Sequence, residues 1–263
     1  MDKIKVCKSC LMPNSRPRVS FNEDNICNAC IYIANKNKID WIEREKEFTD
    51  ICNEHRSKDG NYDCIVPWSG GKDSSSIAHK LKFKYGMNPL LVTFSPLIPS
   101  KIGNINRQRL INCGIDNYFF SPNGYVSRYL AQRFFIERGN PKVAWDAGVN
   151  ALPIHVATEK NIKLVFFAEH GESEYGGNVL KKDSDKIRDL DEVLENQIGD
   201  VPDNWVDDKV SINDLNMYRY PDGGKIIKKG IKVYYFSYFF KWDVFENFEY
   251  CKKNFDFQIN KER

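Results

Sequence analysis

The chain has 263 residues, of which 41% are hydrophobic and 29% are charged, and its formal net charge at pH 7 is +3. This length accommodates one α/β domain of ordinary size, a small module and an appendage. The mild positive charge predicts no nucleic-acid partner. No apolar segment approaches the length of a bilayer span, so we expect no membrane association.

Two Cys-x-x-Cys pairs stand near the N-terminus: Cys7 with Cys10, and Cys27 with Cys30. Their separation by sixteen residues is typical of a zinc ribbon, in which each pair holds one edge of a tetrahedral ion. Residues 1–5 are charged and lead into no apolar stretch, which favours a cytoplasmic, reducing location over disulfides. We therefore predict a four-cysteine module over residues 1–40 with a structural zinc; a reduced thiol cluster or an iron–sulfur site is the alternative.

The strongest motif follows an apolar run at residues 64–68. Its members are Ser69, Gly70, Gly71, Lys72, Asp73, Ser74 and Ser75. The glycines let backbone N–H groups approach a phosphate, the helix that follows presents its positive end, and Lys72 adds a cation. The motif is not a Walker A loop, because Lys72 is followed by Asp73 rather than Ser or Thr. It resembles the SGGxDS signature of the ATP pyrophosphatases, which split ATP between its α and β phosphates; an ordinary Gly-Gly turn is the alternative.

The middle of the chain alternates between strand and helix patterns. Strands are predicted at residues 64–68, 89–94, 118–120 and 164–168, and helices at residues 74–85, 102–113, 125–137 and 147–160. This alternation predicts a parallel sheet with ligands at the carboxyl ends of its strands. We assign residues 41–180 to this domain and residues 181–263 to a substrate- or partner-binding region. An aromatic run at residues 233–242 is either a core strand or an exposed interface, and we favour the core.

Residues 93–95 and 169–177 also follow predicted strands and should meet the SGGKDS loop at one edge of the sheet. Glu169 comes first after its strand and could hold Mg²⁺ on the phosphates or hydrogen-bond a substrate. Glu172 and Glu174 are expected further out, where they could meet a sugar hydroxyl; a polar loop ending in a Gly-Gly turn is the alternative. His170 fits a surface histidine at least as well as a catalytic one.

Taken together, these motifs resemble those of the N-acetyl sugar amidotransferases of bacterial surface-polysaccharide and nonulosonic-acid biosynthesis. The resemblance runs from the Cys pairs to about residue 243. Besides the Cys pairs, it rests on VPWSGGKDSS at residues 66–75, YGMNPLLVTFSP at 85–96, GNINRQRLINCGID at 103–116, FSPN at 120–123 and ESEYGG at 172–177. In that family ATP adenylates the oxygen of an acetamido group, pyrophosphate leaves, and ammonia displaces AMP to give an acetamidino sugar.

The resemblance implies an adenine-nucleotide alpha-hydrolase-like (PP-loop) fold, ATP and Mg²⁺. It implies that residues 69–75 hold pyrophosphate, that Thr93 and Phe94 lie near adenosine, and that the reacting amide faces the segment after the fourth strand. On this basis we assign catalysis to Lys72, Asp73, Glu169 and Glu172, and substrate binding to Glu172, Glu174, Tyr175 and Gly176.

The source of ammonia and the length of the C-terminal region bear on the partners of this protein. Residue 2 is Asp rather than a nucleophilic Cys, and no Cys stands in a G-x-C-x-G elbow, so ammonia is expected from solution or from a separate glutaminase subunit. The family generally continues well beyond the stretch matching residue 243, so we expect a C-terminal region shortened relative to it. The rival functions are an ATP-dependent tRNA thiolase and a catalytically silent partner protein with the same fold.

Overall fold

The computed structural model describes residues 3–177 and 185–260, and a parallel sheet organises these two ranges. Its strands are β1 (Cys64–Pro67), β2 (Pro89–Phe94), β3 (Asn117–Phe120), β4 (Leu164–Phe167) and β5 (Lys232–Tyr235). The five strands lie in the order β3-β2-β1-β4-β5, and every neighbouring pair is parallel. The predicted α/β class and the four predicted strands are confirmed, and β5 adds a fifth.

Helices cover both faces of the sheet. They are α1 (Asn28–Asn35), α2 (Trp41–Glu54), α3 (Lys72–Phe83), α4 (Lys101–Asn112), α5 (Gly124–Arg138), α6 (Val143–Lys160), α7 (Gly171–Tyr175), α8 (Leu190–Val193), α9 (Gly223–Lys228), α10 (Phe236–Phe239) and α11 (Val244–Phe255). None of the helices in the two described ranges has the length and apolar character required to cross a membrane.

The alternation of side chains along the strands divides the interior into two cores. Ile65 and Val165 belong to the core beneath α5 and α6, whereas Val66 and Phe166 belong to the core beneath α2, α3 and α11. Both faces of the sheet are therefore apolar, which explains why β2 reads as an unbroken hydrophobic run.

The aromatic run at residues 233–242 is part of the core, as we expected. β5 pairs with β4 along its length, and Phe236 and Phe239 are buried in the α10 turn that follows. Helix α11 then packs on α3. The sheet thus continues across the boundary that we predicted at residue 180, which falls within residues 178–184, outside the described ranges.

The strand order creates one topological switch point. From β1 the chain moves outward to β2 and β3, and then returns to the opposite side of β1 to form β4. Connections leave β1 and β4 in opposite directions, so a crevice opens between the carboxyl ends of these two strands. The SGGKDS loop follows β1 and Glu169 follows β4, and both therefore border this crevice.

Candidate functional site

The loop after β1 has the backbone of an anion site. Gly70 adopts a left-handed φ of +82°, which glycine alone adopts without strain. Gly71 stands at the N-cap of α3 and has no side chain with which to cap the first amides of that helix. Those N–H groups and the positive end of the helix dipole remain available to an anion.

The side chains of this loop divide into two groups. Lys72 Nζ and Asp73 Oδ2 form an ion pair at 2.6 Å beside the first turn of α3. Ser74 Oγ is buried and has no hydrogen-bond partner among the described residues, as expected of a donor that awaits a ligand. Ser75 Oγ instead accepts a hydrogen bond from Trp68 Nε1 at 2.8 Å, so this hydroxyl ties the helix to the strand.

Glu169 lies on the opposite wall of the crevice, at the end of β4. Burial is the main cause that raises the pKa of Glu169, and the negative charge of Asp73 raises it further. The Tyr175 hydroxyl donates to Glu169 Oε1 at 3.4 Å, and burial together with the charge of Glu169 raises the pKa of Tyr175 to about 12. Two carboxylates beside a lysine and an uncapped helix end are a donor set that suits Mg²⁺ and phosphate.

A cavity of about 310 Å³ adjoins the loop on the side of β2. Its walls include Ser69, Gly70, Thr93, Ser95, Arg107 and Phe119. Thr93 is buried and donates to Asn117 Oδ1 at 3.1 Å. Phe94 does not line this cavity, because its ring packs in the core against Tyr218. The same ring lies so close to Gly148 that a Cβ atom on residue 148 would clash with it. Of the two residues assigned to adenosine, the structure places Thr93 at the cavity.

The four N-terminal cysteines form one cluster. Their Sγ atoms all lie within 4.8 Å of one another. Two isolated antiparallel bridges, Val6–Pro13 and Phe21–Cys27, lie beside them. Burial opposes ionisation of the Cys7 thiol. Backbone N–H groups outweigh this effect and lower the pKa of Cys7 to about 6, and those of Cys27 and Ser9 donate to its Sγ. A set of four soft sulfur donors, one of them readily ionised, fits a structural zinc and leaves no coordination position for substrate.

The four-cysteine module, residues 3–40, also holds the loop that carries the predicted carboxylates. Arg18 makes a bidentate ion pair with Glu172, with Nε–Oε2 and Nη2–Oε1 distances of 2.8 and 2.9 Å. The Lys36 ammonium contacts Glu174 where both side chains are almost fully buried. Gly176 packs so tightly on α1 that a Cβ would lie 2.9 Å from that of Ala29.

These contacts locate the assigned substrate residues. We expected Glu174 further out from the end of the strand, but its side chain is buried, with 6% exposed. Its carboxylate faces Lys36 and Tyr32 of the module. The carboxylate of Glu172 faces Arg18, whereas Tyr175 is 41% exposed beside Glu169. Of the four, Tyr175 is thus the side chain that the structure brings to Glu169. Sequence patterns missed Arg18 and Lys36, since partners more than 130 residues apart leave no local signal.

Of the two alternatives weighed for His170, the surface histidine is wrong, because the side chain is 2% exposed. Its Nδ1 lies 2.6 Å from Ser173 Oγ, and its Nε2 contacts Glu192 of α8. The backbone N–H of His170 donates to Ser237 Oγ at 3.2 Å. His170 therefore joins the loop after β4 to α8 and to the residues after β5.

Comparisons with protein-family models and with curated proteins returned no match.

Proposed function

We propose that this protein is an ATP-dependent amidotransferase that converts the acetamido group of an N-acetyl sugar into an acetamidino group, releasing AMP and pyrophosphate. The observation that carries the proposal is the position of the SGGKDS loop. It lies at the carboxyl end of β1, at the switch point of a parallel sheet and across the crevice from Glu169. The sugar substrate and the place in surface-glycan biosynthesis come from the sequence resemblance.

Each wall of the crevice has a role in this chemistry. The amides of the first turn of α3, Ser74 Oγ and Lys72 would hold the β and γ phosphates and stabilise the charge that develops as pyrophosphate leaves. Asp73 and Glu169 would hold Mg²⁺, which neutralises phosphate charge. The cavity beside Thr93 would take the adenosine.

The reaction needs no covalent protein nucleophile. The amide oxygen attacks the α phosphorus, a P–O bond forms, and the bond to pyrophosphate breaks. Ammonia then adds to the amide carbon, and AMP leaves with the former amide oxygen. An amide is a poor electrophile, and adenylation turns its oxygen into part of a leaving group. We propose that the ammonia comes from solution or from a separate glutaminase subunit.

An oxygen label in the acetamido group tests this proposal. With ATP, Mg²⁺ and ammonium, ¹⁸O from the sugar should appear in AMP, and the sugar should become lighter by the difference between an oxygen atom and an NH group. Glutamine should be inactive when the protein is alone. Label in inorganic phosphate with formation of ADP, or turnover of tRNA with a sulfur donor, would overturn the proposal.

A further inference from the structure

The C-terminal helix α11 contacts two consecutive residues of the phosphate loop. Asn247 Nδ2 donates to Asp73 Oδ1 at 3.1 Å, and one turn later the Cys251 thiol donates to the carbonyl of Lys72 at 3.1 Å. Both side chains are buried: Asn247 is 4% exposed and Cys251 is fully covered. Asn247 therefore lies in the wall behind the loop, where a ligand on the crevice side does not reach it.

The orientation of the Asn247 amide is set by charge on both sides. Its Oδ1 accepts from Lys80 Nζ at 3.3 Å, while its Nδ2 faces the carboxylate of Asp73. Reversing the amide would place an oxygen against a carboxylate and an NH₂ group against an ammonium. Lys80 is itself held over the ring of Tyr250, 4.9 Å from its centroid. The amide thus has one stable orientation.

Asn247 and Lys72 contact different oxygens of the Asp73 carboxylate. Asp73 Oδ1 is taken by Asn247, and Oδ2 lies 2.6 Å from Lys72 Nζ. A carboxylate fixed at one oxygen has little freedom to rotate, so the ammonium paired with its other oxygen is also fixed. The chain of contacts runs from Lys80 through Asn247 and Asp73 to Lys72.

We infer that Asn247 is a positioning residue, which presets Asp73 and, through it, the Lys72 ammonium for the charge that develops on departing pyrophosphate. The inference rests on the proposed function. It extends the site to a helix beyond the stretch that resembles a known family. A residue that acts in this way should affect the chemical step more than the binding of ATP, because it organises a group whose contact strengthens in the transition state.

Exchange of labelled pyrophosphate into ATP, measured with a nucleotide-linked N-acetyl sugar that the protein adenylates, tests the inference. We expect Asn247→Leu to lower the kcat of exchange by about 10- to 100-fold, the scale of loss from a misplaced reacting group, while the KM for ATP changes little. Asn247→Asp keeps the shape and the contact with Lys80 but sets a second carboxylate against Asp73. It should lower kcat at least as much as Asn247→Leu. The matched control is Asn254→Leu, since Asn254 is exposed on the same helix and donates to the carbonyl of Tyr250 rather than to the loop.

The outcomes distinguish failure of the proposed function from failure of the inference about Asn247. A wild-type protein without exchange overturns the proposed function and the inference with it. Exchange that is normal in the wild type and unchanged in both Asn247 variants overturns the inference alone. Loss of kcat that merely follows the thermal midpoint of each variant also overturns it, because a purely structural role would order the variants by stability.

Discussion

The two loops that border the crevice are held in different ways. The loop after β1 is backed by α11, which packs on α3 within one of the two cores of the sheet and contributes Asn247 and Cys251. The loop after β4 is held by the four-cysteine module, whose described core contains only Cys7, Cys27 and Ala29 as buried residues. A core of this size cannot order a module by itself. One wall of the crevice therefore depends on hydrophobic packing, and the other is held by a module whose four-cysteine cluster could hold a structural zinc.

Removing a bound metal should distinguish the two loops most strongly. Metal binding contributes about 10–16 kcal/mol of apparent free energy to small zinc modules. A chelator should therefore unfold the module and expose the amides of α7 to hydrogen exchange, while the amides of α3 and α11 keep their protection. Cys7→Ser combined with Cys10→Ser should act in the same way. Metal analysis that finds no zinc, or a double variant with unchanged thermal stability, would refute this account of the module.

Lys36→Met should have the next largest effect, because it leaves the carboxylate of Glu174 buried without its cation. Loss of one partner of a buried pair costs about 3–5 kcal/mol, which urea unfolding should detect. Adding Glu174→Met should recover most of this loss. Arg18→Ala is the matched control, since the Arg18 side chain is 39% exposed and exposed pairs contribute about 0–1 kcal/mol. Equal costs for Lys36→Met and Arg18→Ala would contradict the buried position of the pair.

Tyr250→Phe should have the smallest effect, and it tests the wall of the crevice that depends on hydrophobic packing. The substitution removes the hydroxyl that lies 2.9 Å from His79 Nδ1 but keeps the ring over Lys80. A hydrogen bond of this kind contributes about 0.5–1.5 kcal/mol, so urea unfolding should show a loss of that order with no change in zinc content. A loss of bound zinc on this substitution would contradict the account, because it would show that the two walls of the crevice are coupled.

The sequence predicted the sheet because the pattern that defines it is local. The apolar runs at 64–68, 89–94 and 164–168 recur as β1, β2 and β4 within one residue, and the four predicted helices begin one to four residues before their predicted starts. The aromatic run at 233–242 was harder to interpret. Its continuous hydrophobicity fits a buried strand or an exposed interface equally well, and only pairing with β4 distinguishes them.

The fine structure of the site could not be predicted from such patterns. His170 stands among polar residues, which is typical of a surface loop, yet it is buried because Ser173 and Glu192 satisfy its two ring nitrogens. Lys36, Arg18 and Asn247 reach the site from 138 to 174 residues away in sequence. Their chemistry depends on burial and on a partner brought together by the fold, and neither is visible in local composition.

The central claim is that the crevice binds ATP and splits it between the α and β phosphates. Its most direct test is pyrophosphate exchange in loop variants, with a nucleotide-linked N-acetyl sugar present as the acceptor of AMP. Lys72→Ala and Asp73→Asn should abolish exchange while leaving the fold intact, since their side chains are partly exposed beside the crevice. Ser74→Ala should be milder, because the backbone donors remain. Exchange by Lys72→Ala and Asp73→Asn at close to the wild-type rate would contradict the claim.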